Sequence, residues 1–155
     1  MYKLPDDNER PDFQLLGINT QLKDFKLCVL LNELLSIDFS LMEDHKVILK
    51  KNEKETKFRV FYAKNSIAKI NYLLFHNKSG SQYLVPEVKK MDFLLKIDGL
   101  YNNSDYTSLI NSTEGIQAVV SLPVHKIKSY NNLEYFIPKQ ETNTLWQQNI
   151  TKRKS

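Results

Sequence analysis

Two carboxylates five residues apart, Glu87 and Asp92, are the side chains of this sequence with the clearest chemical scope. They stand in Val85-Pro86-Glu87-Val88-Lys89-Lys90-Met91-Asp92-Phe93, and two acids in one short segment can divide acid and base duties or give two oxygen ligands to a metal. A spacing of five across a turn into a strand does not converge them on one point. The competing reading is local. Pro86 fixes its φ angle and opens a helical turn, Glu87 faces the positive end of that turn, and Asp92 accepts backbone N–H bonds where the chain bends into a strand. The local reading is preferred, so no catalytic residue is assigned.

The remaining reactive side chains do not assemble along the chain. His45, His76 and His125 have no second ligand at helical or hairpin spacing, so no metal site is expected. His45 follows Glu43 and Asp44 and reads as a solvated loop histidine. Cys28 is the one cysteine, which excludes an internal disulfide; its neighbours Leu27, Val29, Leu30 and Leu31 make it a core thiol and not a nucleophile. Four glycines in the whole chain leave no phosphate-binding loop, dinucleotide fingerprint or nucleophile elbow, and no cofactor is expected.

Elements that would position these groups can be read from hydrophobic pattern. INTQLKDFKLCVLLNELLSI predicts a helix capped by Asn19 or Thr20, apolar on more of its circumference than one buried face requires. KFRVFYA, IAKINYLLFHNK and QYLV predict an antiparallel meander, with KKNEKET as a charged, solvated, hairpin-like loop. MDFLLKIDG, SDYTSLINSTEG and IQAVVSL predict strand, helix and strand, the helix capped by Ser104 and closed at Gly115. LEYF, near Leu133 to Phe136, predicts a last strand. The sum is an α+β fold: a largely antiparallel sheet with helices packed on one face, including one βαβ unit as a ferredoxin-like element.

The segment Val85 to Phe93 resembles the signature of the bacterial IPExxxVDY family, small proteins to which the resemblance attaches no activity. Pro86, Glu87 and Asp92 agree with that string, while Val85, Met91 and Phe93 replace its isoleucine, valine and tyrosine. The likeness extends through the preceding LCVLLNELL and the following FLLKIDG, most of the chain. Phe93 lacks a phenolic oxygen, so that hydroxyl is no indispensable acid, base or nucleophile, and an apolar ring suffices there. The strand, helix and strand, with Gly99 closing the first strand, also resemble the ferredoxin-like regulatory domains that bind amino acids at dimer interfaces.

Bulk properties bound the rest. At 155 residues, with 41% hydrophobic and 26% charged side chains, the chain is one domain long and can bury roughly 70% of its unfolded surface. Residues 1–140 form a single domain, its body running from Phe13 to Pro138, and 141–155 a polar, basic tail in which Trp146 argues for docking. Half of the +4 net charge lies in that tail, a weak footprint for nucleic acid. No secretory leader and no membrane span are read, which predicts a cytoplasmic protein and deprives the glycosylation patterns at Asn77, Asn102, Asn111 and Asn149 of meaning. The expected function is a non-catalytic interaction module, a homodimer that meets a further protein. The alternatives are a small-ligand-binding regulatory domain and an enzyme using Glu87 and Asp92.

Overall fold

The computed structural model describes residues 13–49, 53–99 and 105–137. Six strands form one antiparallel sheet in the order β10-β1-β9-β6-β5-β2. They are β1 (Gln14–Thr20), β2 (Ser40–Leu41), β5 (Val60–Asn65), β6 (Ile70–His76), β9 (Phe93–Asp98) and β10 (Ile116–Ser121). Two small hairpins lie outside it, β3 (His45–Ile48) with β4 (Glu55–Phe58) and β7 (Lys78–Ser79) with β8 (Gln82–Tyr83). The helices are α1 (Asp24–Leu35) and α2 (Tyr106–Asn111), and short 3-10 turns occupy Pro86–Val88, Val124–Lys126 and Tyr130–Leu133. The α+β class and the antiparallel sheet agree with the sequence reading.

Alternation along the strands divides the core between the two faces of the sheet. Leu16, Ile18, Phe61, Leu74 and Leu95 point to one face, where Leu27, Cys28 and Leu31 of α1 and Tyr106 and Ile110 of α2 cover them. Leu15, Val60, Leu73, Phe75 and Leu94 point to the other, covered by Val47 and Phe58 of the β3–β4 hairpin and by Leu84, Val85, Val124, Ile127 and Leu133. Both helices therefore pack on one face, as the pattern implies. The opposite face is closed by irregular chain and a hairpin, a third layer the sequence does not announce.

The βαβ unit is present in split form. Strands β9 and β10 are both antiparallel to β1, hence parallel to each other, and β1 lies between them. No strand is expected at Gln14–Thr20 from pattern: Leu15, Leu16, Gly17 and Ile18 are buried in succession with few β-formers among them, and Asn19 and Thr20 read as a helix cap. The predicted helix start falls inside this strand. Helix α1 begins at Asp24, and its cap position, Lys23, makes no side-chain bond. Thr20 instead uses its hydroxyl to accept the N–H of Leu22 and to donate to the carbonyl of Gly115.

Three further expectations are corrected. KFRVFYA is not one strand: pairing breaks at Arg59, so Phe58 ends β4 and Val60 starts β5. LEYF is not a strand either; Leu133 closes a 3-10 turn and is fully buried, and Tyr135 donates its hydroxyl to the carbonyl of Glu43, so this segment is held by side chains without ladder bonds. Helix α2 ends at Asn111 and not at Gly115, although Gly115 does carry the left-handed backbone, φ 95°, that turns the chain into β10. Its N-cap is Asp105, which accepts from the N–H of Ser108. Ser104, expected to cap it, lies outside the described residues, as do Trp146 and the basic tail.

Candidate functional site

The segment that carries the resemblance is a densely hydrogen-bonded junction of the fold. Val85 is fully buried, and Pro86 opens a 3-10 turn in the first helical position, where its missing N–H is no loss. Beneath the turn lies Asn77, a wholly buried amide. Its carboxamide NH2 donates to the carbonyls of Val88 and Met91, both at 3.0 Å, and its Oδ1 accepts the N–H of Val85 at 2.8 Å. Its backbone N–H donates to the carbonyl of Asp92, and its carbonyl accepts the N–H of Leu84. One side chain thus satisfies three backbone groups of an irregular segment that has no ladder to do so.

Glu87 and Asp92 fasten this turn to two different parts of the chain. The Glu87 carboxylate accepts the hydroxyl of Ser129 and, at 3.0 Å, its backbone N–H. Partial burial opposes the charged form of Glu87, but the bonds from Ser129 and from neighbouring backbone N–H groups outweigh it and hold the carboxyl below its usual range. Asp92 accepts the N–H of Thr20 at 2.9 Å, and its own N–H donates to the carbonyl of Ile18. The two acids do not act on a common point; each braces a bend, which is the local reading. Met91 lies across Gly17 of β1 so closely that a Cβ there would sit 2.5 Å from Cγ. Phe93 is buried, with its ring edge-on to His76 at 4.9 Å.

A second cluster anchors the start of α1. Oδ2 of Asp24 lies 3.0 Å from Nε of Arg59 and 3.0 Å from Nε2 of His76. A carboxylate on an imidazole is the orienting half of a nucleophilic arrangement. Cys28, one turn further along the helix, does not complete it: burial, with the Asp24 charge adding to it and Arg59 opposing it, pushes the thiol up to about 12. It remains a protonated core thiol, as the sequence implies. Among the described residues no three His, Cys, Asp or Glu side chains are placed together to hold a metal. No helix among them is long and apolar enough to cross a membrane.

The surface carries an exposed apolar pair and a cleft. On the outside of α1, Phe25 and Val29 are one turn apart and 59% and 57% exposed, with the Arg59 guanidinium 5.5 Å from the Phe25 ring. Against the Pro86 turn lies a cleft of about 570 Å³ whose walls come from Leu49, the β7–β8 hairpin, Pro86, Lys89 and the stretch from Lys128 to Asn132. Asn132 fixes one wall by donating to the carbonyl of Leu84 at 2.8 Å, while its own carbonyl accepts from Nε2 of His45. His45 is buried in β3 and not solvated on a loop; burial pulls its pKa down, the Asn132 carbonyl works against this, and the Lys96 charge adds to it.

Asn77, Ser129 and Asn132 are the site residues that pattern does not reveal. Asn77 stands in the sequence as one of four glycosylation matches, and its neighbours HNKSGS read as a turn. The family models and the curated proteins compared with the chain give no match.

Proposed function

We propose that this chain is a non-catalytic interaction module that works as a homodimer through the outer face of α1. The observation that carries the reading is the exposed pair Phe25 and Val29 on a helix already anchored from its inner face by Leu27, Cys28 and Leu31. Such an apolar stripe in water marks a contact surface. Lys26, Val29 and Glu33 follow one another at helical spacing and are all exposed. An isologous, antiparallel pairing of two copies about Val29 sets Lys26 of one opposite Glu33 of the other, twice by symmetry. A standard interface buries about 800 Å² per partner, so the contact extends onto α2, in the same layer, where Leu109 is exposed.

Light scattering on the eluting protein tests this. The wild type should run at twice the 18.2 kDa chain mass, and Phe25→Ser/Val29→Ser at the single mass with unchanged circular dichroism. Lys26→Glu and Glu33→Lys should each weaken the dimer, and their combination should restore it. A wild type that is monomeric at every concentration overturns the reading.

Membership of the IPExxxVDY family belongs to the same proposal, supported by Pro86, Glu87 and Asp92 in structural roles and by Phe93 as a buried ring. So does a cytoplasmic setting, on the sequence argument. A second reading, a small-ligand-binding regulatory domain, is favoured by the cleft at the Pro86 turn. The enzymatic reading of Glu87 and Asp92 gains no support from carboxylates bonded to separate backbone segments.

A further inference from the structure

Resting on that second reading, we propose that the cleft at the Pro86 turn binds a small molecule with a flat apolar body and an anionic phosphate or carboxylate head. Its volume, about 570 Å³, lies within the 300–1,000 Å³ common for small-ligand sites. Leu49, Pro86 and the Tyr83 ring supply apolar wall, and neutral polar groups such as Asn131 complete it.

Charge decides the class of head group. Lys89 and Lys128 line the cleft, and among the described residues no carboxylate does. The Lys89 ammonium stands 5.7 Å from the centre of the Tyr83 ring and that of Lys78 stands 5.9 Å from it, so this ring, itself part of the cleft wall, draws two cations to it. Glu87, on the same turn, has both carboxylate oxygens turned onto Ser129 and does not neutralise them by direct contact. The ion pairs among the described residues are those of Asp24, so these three ammonium groups have no acidic partner there. An anion placed between Lys89 and Lys128 gains two charge-assisted contacts.

The walls are also fixed before any ligand arrives. Asn77 holds the Pro86 turn from below, Glu87 ties it to Ser129, and Asn132 ties Leu84 to the opposite wall. Preorganisation of this kind lowers the ordering cost of binding.

Calorimetric titration of the full chain with 1-naphthyl phosphate, 1-naphthoate and 1-naphthalenemethanol, with amide shifts followed at Tyr83, Ser129 and Asn131, tests the proposal. The two anions should bind and shift those amides, with the relative affinities identifying the preferred head, and the alcohol should bind at least about a hundredfold more weakly. Lys89→Gln and Lys128→Gln should each weaken the anions about tenfold, while Lys64→Gln, on β5, should leave them unchanged. Equal binding of the alcohol, or anion binding that survives both lysine substitutions, overturns the anionic class but leaves a ligand site in place. No binding of any probe at millimolar concentration overturns the ligand-binding reading as well.

Discussion

The two faces of the sheet are covered by opposite strategies. On one face two regular helices satisfy their own interior backbone and cover the sheet with apolar side chains such as Leu27, Cys28 and Leu31, the Asp24 ion pairs pinning only the start of α1. On the other, 3-10 turns and unpaired chain satisfy only part of their backbones, and side chains complete the rest: Asn77 beneath the Pro86 turn, Glu87 onto Ser129, Asn132 onto Leu84. A helical cover tolerates changes on its outer surface, whereas an irregular cover depends on a few polar groups at fixed positions. The first leaves a free face for another chain. The second, being irregular, leaves a cleft.

The largest expected effect is on the irregular side. Asn77→Ala removes three side-chain bonds and strands the Val85 N–H and the Met91 carbonyl, while the Val88 carbonyl keeps the Met91 N–H, at a cost of about 4 kcal/mol by urea unfolding. A loss under about 1 kcal/mol would mean that the turn finds other partners, and the contrast between the two faces would fail. Leu27→Ala on the helical side should cost about 3 kcal/mol through lost burial and the cavity left behind. Its signature should differ: amide exchange should rise across α1 and leave the Leu84–Asp92 turn protected.

Acid gives the smallest effect and separates two groups on the irregular side by their windows. His45 has a depressed folded pKa, so the unfolded chain takes up its proton first and stability falls as pH drops below the ordinary 6.5. His45→Gln should flatten that limb. Glu87 also has a depressed folded pKa; its contribution is complete above the ordinary 4.5 and is lost as pH falls through the folded value. Glu87→Gln should flatten only this lower limb, as read from unfolding free energies across pH.

Legibility in the sequence follows the same divide. Strands β5, β6 and β9 are visible because β-branched and aromatic residues gather there beside turn signals, and the buried stripe of α1 because burial on one helical face leaves a period. Pro86, Glu87 and Asp92 are visible as a bend with acids at its ends, since turn chemistry is local. The partners of that bend are not. Ser129 lies 42 residues beyond Glu87, and Asp92 reaches back 72 residues to Thr20. His45 looks solvated beside Glu43 and Asp44 because nothing local announces that Phe75 and Tyr135 will pack around its ring. Leu15 to Ile18 hide a strand because leucine and Gly17 carry little β signal, and Asn19 and Thr20 beside them read as a helix cap.

The position of β1 has a consequence in time. Both of its edges are filled by strands made late, Ile18 facing Phe93 on one side and Val119 on the other. At 5–20 residues per second the ribosome needs several seconds, about 4–15 s, to reach β9 after β1, and longer to reach β10. Throughout that interval the first strand, with four consecutive residues destined for burial, has no ladder to join. The molecule is therefore committed to closing its sheet only after β10 has been made, and nascent β1 needs shielding until then.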